Sequence, residues 1–324
     1  MSSTICGWGL WCFNGAFGRS GVPTLRKGSW RFSLDSKTHP GSNVPMFKLE
    51  DCLVRIARPS DRADLIEISR GIWEGHDYLP LIVDRWISED WFFVCEYQGK
   101  VIACLKLSLF PDNVLWFEGL RVHRRYQGKG IAKLMNRELM AFAASLKRQN
   151  PQLTFEFCTY YKNVESLAIT SRMGSRQIAG YYNLERRGVV KTAVPEVILD
   201  YGREAFRHYP GHIPLNWHTV HNTGDALPFI RKHAEIFRTP QGLYLVGTVG
   251  ERCITLLSDL PSDLQAELPY LQHYFGSRKK YSITIPQSMQ AEIGRLRQSK
   301  FYFWDEEGEE ALNMLVFCIP HHGG

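Results

Sequence analysis

Apolar and polar positions fall into regular patterns from Cys52 onward. "CLVRIARP" alternates as a strand does, with successive side chains on opposite faces. "DRADLIEISRGIW" instead sets Leu65, Ile68 and Ile72 at helical spacing, with Ser60 ahead as the N-cap and Asp61 and Asp64 in the first turn. "EGHDYLPLIVDRWISE" continues as a helical connection that Pro80 interrupts. "WFFVCEYQGKVIACLKLSLF" reads as a hairpin turning at Gln98-Gly99-Lys100, and "NVLWFEGLRV" as the next strand. Loop and helix follow from Gly128 to about Leu146, then the strand "LTFEFCTYY". "NVESLAITSRMG" is a short helix ending at Gly174, and "SRQIAGYYNLERR" a last strand. The order β-α-α-β-β-β-α-β-α-β over 52 to about 190 predicts an α/β domain (α+β, three layers) around a central mixed sheet.

The texture changes near residue 195. "YPGHIPLNWHTVHNTG" is punctuated by Pro and Gly and reads as loop. After it come a helix over "DALPFIRKHAEIF", a hairpin over "GLYLVGTVGERCITLLS" and a helix over "DLQAELPYLQHYF". The strand "KYSITIPQ", the helix "SMQAEIGRLRQ" and the strands "KFYFWD" and "LNMLVFCIP" complete the chain. This order echoes the end of the first domain, as a diverged repeat would. Three segments are expected: an extension over 1–45, a first domain over 50–192, and a C-terminal α+β domain over 195–324.

Composition narrows the function classes. The chain has 324 residues, 44% hydrophobic and 22% charged, a globular balance that suits two domains. A net charge of +6 fits a polyanionic small molecule; without a zinc-finger spacing or a basic tail, no nucleic-acid partner is expected. The eight cysteines form no CxxC pair, and several sit in apolar runs, so reduced thiols are expected in a cytoplasmic protein. No apolar run is long enough for a membrane span. The acid-poor extension reads either as a disordered segment or as a transit peptide, the latter implying a mitochondrial location.

The chemistry concentrates at "EGLRVHRRYQGKGIAKLMNREL", Glu118 to Leu139. Gly128 and Gly130 separate a strand from a helix. Glycine lets a ligand approach the backbone, and a helix N-terminus presents free N–H groups and partial positive charge. Together they make an anion site, most simply for phosphate or pyrophosphate, with Arg124, Arg125 and Lys129 adding attraction. The spacing is neither G-x-x-x-x-G-K-[ST] nor G-x-G-x-x-G, which excludes a P-loop and a dinucleotide fingerprint. The second half lacks such a loop before its helix and is expected not to bind the same ligand.

Arg125-Tyr126-Gln127-Gly128-Lys129-Gly130 resembles the R/Q-x-x-G-x-G/A signature of the GCN5-related N-acetyltransferase (GNAT) superfamily. "LRV" before it, "IAKLM" after it, and Asn163-Val-Glu-Ser166 with Gly174 downstream fit the same family. "ISRGIWEGHDYLP" together with the long C-terminal half resembles the histidine N-acetyltransferase family in particular. The resemblance implies acetyl-CoA as donor. Main-chain N–H groups of Tyr126 to Ile131 would cradle the pyrophosphate: Tyr126, Gln127, Gly128, Lys129, Gly130 and Ile131. The main chain of Leu120 and Val122 would pair with the pantetheine arm, and Asn163 and Ser166 would face its other side. It also implies an acetyl transfer to the α-amino group of a free amino acid, L-histidine first. A peptide or lysine acceptor and a non-catalytic acyl-CoA-binding module are the alternatives.

Acetyl transfer to an amine needs a base, an oxyanion partner and an acid for the leaving thiolate. Glu118 is the expected base, its pKa raised by apolar neighbours. Thr170 stands where many family members carry the acidic tyrosine, which leaves Tyr160, Tyr161, Tyr181 or water; Tyr160 is the first candidate. Trp73, Glu74, His76, Asp77 and Tyr78 crowd one stretch and are expected to build the acceptor site, with Trp73, Glu74, Asp77 and Tyr78 as its contacts. An ordinary amphipathic turn accounts for the same residues. His208, His212, His218 and His221 cluster without an HExxH pattern. They read as a solvated loop or an acceptor-site contact from the second half, and no metal is expected.

Overall fold

The computed structural model describes residues 47–72, 77–248, 252–305 and 311–320. The first half runs β1 (Leu53–Ile56), α1 (Arg62–Ser69), α2 (Leu79–Ser88), β2 (Phe92–Tyr97), β3 (Lys100–Phe110) and β4 (Val114–Val122). It continues with α3 (Ile131–Gln149), β5 (Thr154–Tyr160), α4 (Val164–Arg172) and β6 (Arg176–Arg187). Then come β7 (Glu196–Ile198), β8 (His212–Leu215), β9 (His218–His221), α5 (Ala226–His233), β10 (Ala234–Arg238), β11 (Leu243–Gly247) and β12 (Cys253–Leu256). The chain closes with α6 (Leu264–His273), β13 (Lys280–Pro286), α7 (Ile293–Gln298), β14 (Phe301–Tyr302) and β15 (Met314–Cys318). Among the described residues no helix is long and apolar enough to cross a membrane.

Four local expectations change. Ser60 does not cap α1; the Asp61 carboxylate instead accepts the Arg58 N–H and pairs with the Arg55 guanidinium. Pro80 lies in the first turn of α2, where its missing N–H costs nothing, so it starts the helix instead of interrupting it. "AEIFR" is strand β10, because pairing with β11 on one side and β7 on the other outweighs the helical spacing. "HIPLNWHTVH" is not loop but the hairpin β8–β9, turning at Asn216 (φ +61°) and Trp217.

One mixed sheet of 13 strands runs through the molecule in the order β1-β2-β3-β4-β5-β15-β6-β13-β12-β11-β10-β7, with β14 on β6. The order is palindromic about β15 and β6. On each side an antiparallel meander (β2-β3-β4, β10-β11-β12) leads through a helix (α3, α6) to a parallel partner (β5, β13). Each arm is then completed by a strand from the other half of the chain: β15 lies on β5, and β6 lies on β13. Residues 314–318 are therefore part of the sheet's N-terminal arm, and the two halves share a continuous ladder.

Alternation along β4 sets the layers. Leu115 and Phe117 pack toward α3 with Ile131, Met135, Leu139 and Phe155. Val114 and Trp116 face the opposite side and pack under the β8–β9 hairpin with Ile213, Leu215 and Val220. Further along that side, α1 and α2 bury Leu65, Leu79, Val83 and Trp86 against Phe92 and Val94. Trp86 is 1% exposed, so its truncation to Ala would cost about 3–5 kcal/mol.

Candidate functional site

β4 and β5 pair in parallel only at Val114↔Thr154, Leu115↔Phe155 and Trp116↔Glu156. β4 continues to Val122 and β5 to Tyr160, so the two strands part beyond Trp116 and Glu156. The unpaired edge of β4 contains Leu120 and Val122. A backbone edge opened within a sheet needs a partner for its N–H and C=O groups, and an extended, amide-bearing ligand supplies one.

The far end of β4 leads into the glycine loop. Gly128 (φ +75°) and Gly130 (φ +84°) hold left-handed conformations that a side chain disfavours. Gly130 is the N-cap of α3 and makes no side-chain capping hydrogen bond to that 19-residue helix. Arg124, Arg125, Gln127, Gly128, Lys129 and Gly130 are exposed. The N–H groups of Tyr126, Gln127 and Lys129 close turns onto His123, Arg124 and Tyr126 carbonyls. Those of Gly128, Gly130 and Ile131 have no such partner among the described residues. Lys129 lies 5.1 Å from the ring centres of Phe47 and Tyr126. Beside the loop, the end of α1 forms a groove lined by Ile68, Arg70, Gly71, Ile72, Val122, Arg124 and Gln127.

Glu118 sits where the strands part. Its Oε1 accepts the Ser108 hydroxyl at 2.7 Å, and its Oε2 lies 2.8 Å from Nε2 of His218, on β9. Lys106, its cross-strand neighbour, is buried and ion-paired to Glu89 at 3.4 Å. The expected rise in the Glu118 pKa is not found. Burial pushes the carboxyl up, but the charge and hydrogen bond of His218, then Ser108 and Lys106, outweigh it and hold it below the ordinary carboxylate value. One residue on, Gly119 bulges the strand (φ +73°), where a Cβ would meet Trp86 at 2.6 Å.

Of the stretch expected to build an acceptor site, Trp73, Glu74 and His76 lie outside the described residues. Asp77 is buried and bidentate to Arg121, Oδ2 to Nε at 2.6 Å and Oδ1 to Nη2 at 2.5 Å. Its charge is thus already matched and is not free for a substrate amine. Tyr78 lies under the Arg121 guanidinium at 4.6 Å, and burial raises its hydroxyl pKa.

Asn163 caps α4, its Oδ1 accepting the Ser166 N–H at 3.1 Å, so that oxygen is committed to the helix. Thr170 is buried and its hydroxyl donates to the Ser166 carbonyl, which explains its place as a packing residue. Tyr160 ends β5 against Tyr161 and Trp304. Its pKa is raised by burial and then by Asp305, which keeps the hydroxyl protonated. Tyr181 is buried and donates to the His212 carbonyl.

Sequence reasoning did not connect His218, Ser108 and Lys106 to Glu118. The traceable signals were a lone lysine inside the apolar run "VIACLKLSLF" and the histidine cluster itself. His221 Nε2 lies 2.9 Å from Glu156 Oε1 and His212 Nε2 lies 3.8 Å from Oε2, while His208 pairs with exposed Asp259 at 3.2 Å.

The acetyltransferase (GNAT) family profile matches residues 62–174, the segment that carries β4, the loop and β5. "Probable N-acetyltransferase 16" from Homo sapiens is 27% identical over 139 residues, 42% of this chain and 34% of that protein. "Histidine N-acetyltransferase" from Scomber australasicus is 26% identical over 139 residues, 42% and 37% respectively. The match spans about a third of the length of these curated relatives. A solved GCN5-related N-acetyltransferase from Sphaerobacter thermophilus shares the fold over 83% of this chain and 95% of its own, with a TM-score of 0.57 at 12% identity. With its parted central strands, its uncapped glycine loop and this profile match, the chain carries a domain of the acetyltransferase (GNAT) family over residues 62–174.

Proposed function

We propose that this chain is an acetyl-CoA-dependent N-acetyltransferase that modifies the α-amino group of a free amino acid, L-histidine foremost. The observation that carries the reading is the parting of β4 and β5 beyond Trp116 and Glu156, with Glu118 in the opening and the glycine loop at the end of β4. The names of the curated relatives support histidine as the first acceptor to test.

Acetyl-CoA supplies an activated thioester. The N–H groups at the start of α3, with Arg124 and Arg125 near, hold its phosphates. The edge of β4 at Leu120 and Val122 takes up the amide-bearing arm, and Asn163 and Ser166 flank it from α4. His218 is the more exposed member of its pair, 33% against 10% for the Glu118 side chain. It takes the proton of the incoming amine while Glu118 orients the ring and balances its charge. Tyr160, kept protonated, is the proton donor for the departing sulfur.

The C-terminal half supports a small acceptor. Its β8–β9 hairpin lies over Glu118 and brings His218 with it, covering the face a peptide would need. We assign the β8–β9 hairpin of the C-terminal half as the acceptor-side lid and Tyr78 as part of the opposite wall; Trp73 and Glu74, also expected there, lie outside the described residues. We place the enzyme in the cytoplasm; the extension expected over residues 1–45 lies outside the described residues.

The test is release of CoA from acetyl-CoA by the purified chain, assayed against each free amino acid and several peptides, with product mass as confirmation. Selective turnover with L-histidine is the expected result. Turnover with peptides alone would overturn the small-acceptor reading. Tight acetyl-CoA binding without turnover would leave an acyl-CoA-binding module.

A further inference from the structure

Glu156 is the second acid of the parted strands, and the chemistry above does not use it. It lies on β5 with its side chain only 3% exposed, under the β8–β9 hairpin. His221 Nε2 lies 2.9 Å from its Oε1. The other oxygen, Oε2, is buried without a hydrogen-bond partner among the described residues, and so is Nε2 of His212. These two orphaned atoms face each other at 3.8 Å, too far for a hydrogen bond. Leaving a buried acceptor unpaired is unfavourable, and here two are left in the same place.

The spacing has a simpler explanation. Two ligands of one tetrahedral zinc ion, each at 2.0–2.2 Å from the metal, lie roughly 3.4 Å apart. One oxygen of Glu156 and the ring nitrogens of His212 and His221 all lie within 4.8 Å of one another. His212 and His221 are direct cross-strand partners in the hairpin, with ring centres 4.5 Å apart, so the backbone fixes their common aim. The donor set, two imidazoles and one carboxylate, suits zinc and excludes calcium or magnesium, which prefer all-oxygen shells.

We propose that Glu156, His212 and His221 form a site for one divalent transition-metal ion, zinc foremost, which joins the hairpin of the C-terminal half to strand β5. The ion satisfies both orphaned atoms and replaces the His221–Glu156 contact with two metal bonds. It fastens the same hairpin that carries His218. The site is separate from acetyl transfer, and either assignment can fail without the other.

The test uses the full chain, stripped with a chelator and given zinc chloride alone. Metal analysis after gel filtration is expected to find one zinc per chain. His212→Gln and His221→Gln are each expected to weaken binding at least tenfold, with circular dichroism showing that the variants stay folded. Cobalt(II) in place of zinc reads the donors directly in the unmodified protein, so the result stands even where a variant misfolds. Visible d–d bands without a thiolate charge-transfer band are expected. Retention of no zinc would overturn the proposal. So would equal binding by His212→Gln, or a thiolate band that places the ion on a cysteine.

Discussion

His218 Nε2 stands 2.8 Å from Glu118 Oε2, joining residues 100 positions apart across the two halves of the chain. A carboxylate so placed fixes the orientation of the imidazole ring. Both His218→Gln and Glu118→Gln are therefore expected to lower turnover by about 10²–10⁴-fold. Acetyl-CoA affinity, which the proposed function assigns to the loop beyond β4, should change little. Calorimetric titration with acetyl-CoA beside steady-state kinetics separates the two effects. Unchanged turnover in His218→Gln would return the proton transfer to Glu118 alone.

The same contact makes stability depend on acid. The folded-state pKa of Glu118 is depressed below its ordinary value of 4.5. Its ionised form therefore stabilises the fold above that value, and the contribution is lost as pH falls through the folded pKa. Glu118→Gln should be less stable than the parent near neutrality by about 1–3 kcal/mol, the cost of breaking a buried charged hydrogen bond. The difference should shrink steadily below about pH 4.5. Denaturant titrations of both proteins at neutral pH and in acid measure it. A constant gap would mean that Glu118 contributes nothing through its charge.

At the loop, Gly130 holds φ +84° with Leu49 Cδ2 at 3.4 Å from where a Cβ would sit. An L side chain in the left-handed region costs about 1–2 kcal/mol, and shifting the cap re-aims the first N–H groups of α3. Gly130→Ala is expected to weaken acetyl-CoA binding about tenfold while lowering stability only by that amount. Thermal unfolding and a CoA titration on the same sample check both halves of the statement.

Much of this arrangement was legible in the sequence because local rules and tertiary packing agreed. Strands β2 to β5, the turn at Gln98-Gly99 and the Gly128–Gly130 loop carry alternation, turn chemistry and left-handed glycines that point one way. The β8–β9 hairpin was not legible: four-residue strands bearing Pro214 and a two-residue Asn216-Trp217 turn read as loop. Its pairing becomes stable only when Ile213, Leu215 and Val220 bury against Trp116. The same distance effect hid the Glu118–His218 contact and the placement of β15 between β5 and β6. Nothing local in "LNMLVFCIP" distinguishes a strand that closes its own half from one that completes the other.

Asp77 and Arg121 answer a different question, what holds the α1–α2 layer to β4. The pair is bidentate, and both side chains are buried, 1% and 6% exposed. Asp77→Asn leaves the guanidinium charged, buried and unmatched, with an expected loss of about 3–5 kcal/mol. Arg121→Met paired with Asp77→Leu should recover most of that loss, because two apolar side chains need no desolvation. Urea unfolding of the single and double variants tests it. A mild effect of Asp77→Asn would show the carboxylate to be available for substrate after all.

The second arm of the sheet gives the last expectation. Its helix α6 takes the position that α3 holds in the first arm, after β12 instead of β4. Where α3 begins at an uncovered glycine, α6 begins at Asp263, whose Oδ1 accepts the N–H groups of Gln265 and Ala266 at 3.0 and 3.2 Å. The anion site of that helix is thus filled by the chain's own carboxylate. One acetyl-CoA per chain should bind, not two. Asp263→Ala removes the cap and should cost about 0.5–2 kcal/mol of stability. It should leave the stoichiometry at one, because the connection offers neither glycines nor arginines to replace it. A second equivalent of CoA in that variant, read by calorimetry, would show that the carboxylate alone had been closing a working site.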